Sequence, residues 1–288
     1  MEYEMIEEKA RALEVFASLS EKDAIAVDFE EECNLHMYGE HLSLIQIYDG
    51  EKYYVIDVLS HKIDKETLSS FFHLGVKKLW FDFGSDGAIV YKNYNEKIEH
   101  VYDIRSYALA LGEVHGLDKI KEKFLGIKEE GSKKKFQQLN WMRRPLDDSA
   151  ILYALSDVKY LFELEKVLWD RVVEEKVEKD ATRRLIEARK IRKSAPAWTK
   201  ITDIRKLSKE EKEYLKAFFS ARDMVARRFN VPASWVLGKK ELVALALAKP
   251  KSMDDVEKMI KSASPRFISF LRSSLEKALE KMNSIILR

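Results

Sequence analysis

Apolar positions along this chain recur with two different periods. In AIAVDFEEE (24–32) a short, partly β-branched apolar run ends in acid, which predicts a buried strand over Ala24–Glu30. HLSLIQIYDG (41–50) and EKYYVIDV (51–58) alternate apolar and polar positions, and Asp49-Gly50 between them signals a tight hairpin, so the three segments read as a meander. Residues 2–17 instead space Ile6, Ala10, Leu13 and Phe16 at helical intervals and predict a helix. Further along, the pattern predicts a short helix over 64–72 capped by Asp64, a strand over 76–83, a helix capped by Ser85 and running to Tyr94, and helices over 103–111 and 117–125. GIKEEGSKKKFQQLNWMRRP (126–145) is polar and lysine-rich with little apolar periodicity, and reads as a long loop of the kind that often carries function. One long helix is then predicted from about Asp147, just past Pro145, into the Val172 region.

Strand alternation does not return after that helix. Residues 171–193 stay helical but turn basic, RRLIEARKIRK (183–193) carrying six positive charges in eleven residues. Ser194-Ala195-Pro196 breaks the pattern, and a boundary is placed near 195–206. From Leu207 onward there are only helical patches, with Ser252 before Met253-Asp254-Asp255 and Ser264 before Pro265 read as helix starts. The expected architecture is an α/β domain over residues 1–195, a mixed sheet flanked by helices with a trailing basic helix, followed by a small all-α bundle over 206–288.

Composition narrows the function classes. A single cysteine, Cys33, excludes a disulfide framework and a thiolate metal site. No apolar run approaches the ~20 residues of a membrane span, the N-terminus is acidic and unlike a signal peptide, and a reducing, cytoplasmic compartment is the expectation. The net charge of +2 conceals a division: residues 1–170 hold 22 Lys+Arg against 33 Asp+Glu, whereas residues 171–288 hold 29 against 16. An acidic half joined to a basic half fits a cation-binding centre beside a polyanion-binding surface.

The acids supply candidate chemistry. Asp28 and Glu30 lie two apart on a strand and project from one side of it. Tyr153 and Asp157 lie four apart on the predicted long helix and share a face. Acid at the end of an otherwise buried strand is costly unless it is paired or binds metal. Phosphodiester hydrolysis near neutral pH is served by two divalent ions about 3.5–4 Å apart, one activating water and one taking up charge on the leaving oxygen. Mg²⁺ or Mn²⁺ requires hard oxygen ligands on rigid elements. Tyr153, one turn before Asp157, is placed to orient the attacking water.

These motifs, in this order, resemble the DEDD family of 3′–5′ exonucleases in its tyrosine-bearing, ribonuclease D-like branch. AVDFEEE matches the first motif, LSLIQIYDGEKYYVIDVL the strands that follow, and RPLDDSAILYALSDVKYLFEL, preceded by NWMRRPL, the third. The likeness covers residues of roughly 20–170 and implies a ribonuclease H-like fold. The second motif departs from the pattern: in WFDFGSDGAIVYKNY, Asp86 is the choice, 17 residues before Asp103 of YDIRS, with Asp82 its rival and Phe81 in the family's histidine position. The resemblance implies that Asp28 bridges two ions, that Glu30 and Asp157 complete the nucleophile-side ion, that Asp86 serves the leaving-group side, and that Tyr153 positions water.

ARRFNVPASWVLGKKELVALALAKPKSMDDVEKM (226–259) resembles an HRDC domain, a small nucleic-acid-binding bundle, within which Trp235 reads as a buried anchor. Lys133, Lys134 and Lys135, with Arg183, Arg184, Arg189, Lys190, Arg192 and Lys193, are candidate phosphate contacts. The resemblance implies a 3′–5′ exoribonuclease that releases 5′-mononucleotides from RNA ends such as those of tRNA precursors. A DNA exonuclease of the same superfamily and a non-catalytic RNA-binding scaffold are the alternatives.

Overall fold

β-Branched and aromatic side chains concentrated in short segments build one six-stranded sheet. Its strands are β1 (Tyr3–Ile6), β2 (Ala24–Cys33), β3 (Glu40–Tyr48), β4 (Tyr53–Asp57), β5 (Lys77–Trp80) and β6 (Val101–Asp103), in the order β1-β4-β3-β2-β5-β6. β3 and β4 are antiparallel, while β1 with β4, β2 with β5, and β5 with β6 run parallel, so the sheet is mixed. At the Asp49-Gly50 hairpin Gly50 adopts φ +93°, and the Asp49 carboxylate accepts the N–H groups of Glu51 and Lys52. The computed structural model describes residues 1–128, 134–191, 195–260 and 263–286.

Among the described residues, the helices of the first part of the chain are α1 (Lys9–Ser20), α2 (Lys65–Phe72), α3 (Gly84–Tyr94), α4 (Arg105–Ala110), α5 (Leu117–Leu125), α6 (Lys134–Gln137), α7 (Asp148–Val158), α8 (Leu161–Glu174) and α9 (Glu178–Ala188). Two apolar layers sandwich the sheet. On one side Phe16, Phe71, Phe72, Trp80 and Val90 join Ile25, Ile45 and Ile56. On the other, Ile151, Leu155, Leu161 and Leu164 of α7 and α8 pack over Ala26, Leu44, Val55 and Leu79. Strand alternation therefore sends Asp28 and Glu30, in phase with Ala26, to the face covered by α7.

Backbone proximity divides the chain into two units, residues 1–32 with 41–192, and residues 33–40 with 193–288. The second unit is helical: α10 (Lys209–Phe229), α11 (Ala233–Val236), α12 (Lys239–Ala248), α13 (Met253–Met259) and α14 (Ile268–Ile286), preceded by 3₁₀ turns at Ala197–Lys200 and Ile204–Lys206. A capping box between Ser208 and Glu211 starts α10, whose Tyr214, Leu215 and Phe218 are buried with Leu242 and Leu245 of α12 and Leu271 and Leu275 of α14. Among the described residues, no helix is long and apolar enough to cross a membrane.

Several elements differ from the periodicity. The predicted N-terminal helix gives its first residues to β1, which pairs Tyr3 with Tyr53 and Ile6 with Ile56, a partner fifty residues away that no local spacing reports. The long central helix is two, α7 and α8, separated by a turn at Lys159-Tyr160 without glycine or proline; both apolar stripes stay buried across it. Asp103 ends β6 instead of starting a helix. Ser85 lies inside the first turn of α3, whose cap position falls on Phe83. The strand over 76–83 contracts to β5, the loop 126–145 contains α6, and the basic helix ends at Ala188. Ser264 precedes a turn, with α14 beginning only at Ile268. Trp235, read as a buried anchor, is 54% exposed; the short α11 turns Val236 inward in its place.

Phe71 is wholly buried and rests on Phe16 and Phe72, with ring centroids 5.5 and 6.1 Å away. Phe71→Ala is expected to cost about 3–5 kcal/mol, measured by urea denaturation. Val114→Ala, at a 69% exposed site, is expected to change stability by less than about 0.5 kcal/mol.

Candidate metal centre

β2, β5 and β6 run parallel and end at the same edge of the sheet, where the acids gather. The helix α7 passes over this edge and brings Asp157, in its last turn, opposite the strand. One carboxylate oxygen from each of Asp28, Glu30 and Asp157 lies within 4.8 Å of the others. That is close to the about 4 Å separating two oxygens on opposite sides of a Mg²⁺ ion. All three residues are partly buried.

Burial raises the Asp28 carboxyl well above the usual carboxylate range, and Asp86, Asp157, Glu30 and Glu31 push it further. Glu30 is raised for the same reasons, burial first and then the charges of Asp157, Asp86 and Glu31. Hard oxygen donors, converging, partly buried and mutually repelling, fit a divalent cation, whose charge would offset both effects.

Of the two second-motif acids, Asp86 is buried and Asp82 is exposed. Asp86 sits in the first turn of α3, buried, accepting hydrogen bonds from the Trp80 indole N–H and from the Ser85 hydroxyl at 3.2 Å. Burial lifts its pKa to about 7 against the pull of those two donors, and Asp82 and Asp103 add to the rise. Asp82 takes φ +71° and is ion-paired with Arg105, which turns it to solvent. Between them, the Asp103 carboxylate accepts the backbone N–H groups of Asp82 (2.9 Å), Phe83 (3.2 Å) and Arg105 (3.1 Å), which holds the turn that delivers α3. Asp103 is raised by burial to about 6 despite these donors.

Tyr153 lines a cleft of about 380 Å³ together with Asp28, Asp157, Phe81, Gln137 and Leu117. Its ring stacks on Phe136 (centroids 4.8 Å apart, 18° between planes) and faces Trp141 at 6.4 Å. Sequence reasoning missed this aromatic support and the fork beneath it. The guanidinium of Arg144 donates to both oxygens of the buried Asp57 at 2.7 Å, and to the carbonyl of Trp141 at 2.7 Å. The Ser43 hydroxyl also donates to that carbonyl, so the segment before α7 is tied to β3 and β4.

The predicted cations are partly gathered. Arg183, Arg184 and Lys190 line a second cleft of about 520 Å³ with Arg105, beside Asp82 and Gly84 at the head of α3. Arg183 and Arg184 share Asp180, and Lys190 pairs with Glu187. Arg189 lies apart from this cleft, donating to the Val101 carbonyl at 2.6 Å and covering the Tyr102 ring. Lys135 sits over the ring of Phe136. Lys134 opens α6, while Lys133, Arg192 and Lys193 lie outside the described residues.

A mixed sheet with strand acids facing a Tyr-x-x-x-Asp helix defines a nuclease-type acidic centre. The 3′–5′ exonuclease family model matches residues 3–173 and the HRDC domain model residues 211–270. The chain belongs to the 3′–5′ exonuclease family. It is 26% identical over 269 residues to ribonuclease D of Haemophilus influenzae, across 89% of this chain and 65% of the relative, so it spans less than two thirds of that protein. Its fold is that of the catalytic core of RRP6 from Trypanosoma brucei (TM-score 0.76, 20% identity, 99% of this chain and 80% of that one). It is also that of the Escherichia coli RNase D structure (TM-score 0.75, 22% identity, 98% and 76%).

The raised carboxyls set a pH dependence for the metal-free protein. Folded Asp86 and Asp103 hold protons to about pH 7 and 6, whereas in the unfolded chain they release them near pH 4. The folded state therefore binds more protons over this interval, and stability falls as pH rises through it. In EDTA the melting temperature is expected to decline from pH 5 to pH 7.5, and Mn²⁺ to restore it at the upper end. A pH-independent melting curve in EDTA would contradict the shifts.

Proposed function

We propose that this protein is a metal-dependent 3′–5′ exoribonuclease that releases 5′-mononucleotides from RNA, with structured RNAs such as tRNA precursors as substrates. The observation that carries the reading is the convergence of Asp28, Glu30 and Asp157 within 4.8 Å on a cleft that also holds Tyr153. Relatives bearing the name ribonuclease D, and a structural neighbour described as an exoribonuclease involved in structured RNA processing, support the choice of RNA. A cytoplasmic location is part of the proposal.

In this reading Asp28, Glu30 and Asp157 hold the ions, and Asp86, held by Trp80 and Ser85, completes the ligand set. Two divalent cations, Mg²⁺ or Mn²⁺, supply Lewis acidity and charge neutralisation at the scissile phosphate when bound. The protein's own contribution is orientation. The Tyr153 ring is held by stacking against Phe136 and Trp141, so its hydroxyl directs the attacking water along one line. Phe81, on the wall of the same cleft, presents an apolar face to the 3′-terminal nucleotide and keeps bulk water from it. Arg183, Arg184 and Lys190, which line the second cleft, take the substrate's phosphates.

Labelled single-stranded RNA and DNA, offered with Mg²⁺, Mn²⁺ or EDTA, test the proposal directly. Cleavage is expected from the 3′ end, with metal only, and on RNA in preference to DNA. Asp28→Ala and Asp157→Asn are expected to abolish it while circular dichroism stays native. Wild-type-like turnover in either variant removes the assignment. Tyr153→Phe is expected to lower kcat by about 10²–10⁴ with little change in KM, because the aromatic stack survives the loss of the hydroxyl.

A further inference from the structure

We propose that a cleft over the edge strand β6 binds a nucleoside 5′-monophosphate, with the base on Trp169 and the phosphate on Arg189. The choice of this ligand class rests on the exonuclease reading, whose product it is; the site itself rests on side chains that the catalytic centre does not use. The cleft has a volume of about 510 Å³, within the range of small-molecule pockets, and shares no lining residue with the clefts that hold Tyr153 or Arg183. Lys77, Tyr102, Tyr107, Glu165, Trp169 and Arg189 are on its wall. Lys77 opens β5, whereas Trp80, which holds Asp86, closes it about 10 Å further along the strand.

Aromatic rings and hydrogen-bond donors meet in this cleft. The Tyr102 ring has the Lys77 ammonium 4.9 Å and the Arg189 guanidinium 4.7 Å from its centroid. Tyr107 and Trp169 pack with ring centroids 5.2 Å apart, and the indole stays 36% exposed. Tyr107 is only 5% exposed, yet its hydroxyl has no hydrogen-bond partner among the described residues. Burial pushes that hydroxyl up to about 12, so it remains a donor at neutral pH. A buried donor left unmatched is costly, and a ligand that accepts from it removes the cost. Arg189 donates its Nε–H to the Val101 carbonyl at 2.6 Å, and its two terminal nitrogens have no partner among the described residues. Lys77 is paired with Glu165 at 2.9 Å, so the two cations and one carboxylate leave the cleft with a single positive charge, that of Arg189. A bare inorganic anion would meet the Glu165 carboxylate and leave the indole uncovered. A nucleoside monophosphate brings a π-face for Trp169, acceptor oxygens for the guanidinium and the Tyr107 hydroxyl, and ribose hydroxyls that donate to Glu165.

The test titrates the full chain with 5′-AMP in EDTA, so that no metal draws the phosphate to the acidic centre, and reads the heat of binding. Saturable binding is expected. W169A is expected to weaken it at least about fivefold, W169L to match W169A, and W169F, which keeps a ring, to stay within about threefold of the wild type. R189M, which keeps the stem and loses the fork, is expected to weaken binding about tenfold or more, and Y107F, which loses only the hydroxyl, about threefold. Adenosine and inorganic phosphate are each expected to bind at least about tenfold more weakly than 5′-AMP. Absence of saturable binding overturns the proposal, as does wild-type affinity in W169A, W169L or R189M, or inorganic phosphate that binds as tightly as 5′-AMP. An oligoadenylate of about 12 nucleotides without a terminal phosphate separates the two sources of a nucleotide. Its failure to displace 5′-AMP supports the free monophosphate, and complete displacement at equal nucleotide concentration overturns it. Circular dichroism of each variant checks the fold. Metal-dependent cleavage by the wild type is scored separately: its absence would defeat the exonuclease reading, while the titrations would still decide the site.

Discussion

Repulsion between carboxylates is the constraint around which this fold is arranged. Asp28 is raised by its own burial and by the charges of Asp86, Asp157, Glu30 and Glu31 together. Acids so placed work against folding, so their positions have to be imposed by something else. The two apolar layers on either side of the sheet do this, one built on Phe71, Phe72 and Trp80, the other on Leu155, Leu161 and Leu164. Local violation of the rule that buried charge is paired, within an otherwise consistent core, is what a functional site looks like in energetic terms.

Imposing the positions takes more than a core. The strand period puts Asp28 and Glu30 on one face, and the helix period puts Tyr153 and Asp157 on another, but neither period brings the two faces together. That is done by polar ties of long sequence separation. Arg144 grips Asp57 across 87 residues and Ser43 across 101, which anchors the segment leading into α7. Asp103 gathers three backbone N–H groups of the turn leading into α3 and of the start of α4, 21 and 20 residues upstream and 2 downstream, and so holds the turn that leads to Asp86. Removing the guanidinium would leave a buried carboxylate without its counter-charge, a larger loss than the pair itself contributes.

Much of this was legible in the residues. The Asp-x-Glu and Tyr-x-x-x-Asp spacings, the Asp49-Gly50 hairpin and the Asp64 cap each follow from local geometry, and the structure has them where the spacing puts them. What was not legible depends on partners distant in sequence. Tyr3–Ile6 joins the sheet only because β4 lies alongside, and its helical spacing with Ala10, Leu13 and Phe16 belongs to the helix that follows. The turn at Lys159-Tyr160 carries no breaker residue, because tertiary packing of two separate stripes, not backbone preference, ends α7. The aromatic stack on Tyr153 joins residues 12 and 17 positions apart through an irregular segment, for which periodicity offers no reading. Trp235 was misjudged because apolar character predicts burial only on average, and a four-residue helix has room for few inward positions.

The basic cleft raises a question of energetics that the charge count alone conceals. Its arginines and lysine are already paired, Arg183 and Arg184 with Asp180, Arg105 with Asp82, and Lys190 with Glu187. Pairing of this kind on a solvated surface contributes little to stability, so exchanging a carboxylate for a phosphate sacrifices little. The incoming phosphate also releases counterions from the nucleic acid, a gain that the intramolecular pairs do not have. The acids thus keep the cations extended and oriented without competing strongly for them. Asp82 illustrates the consequence: it pairs with Arg105, and both line the cleft together with Gly84, two residues before Asp86. The residue that rivals Asp86 in the sequence is, in the fold, the ion-pair partner of that guanidinium.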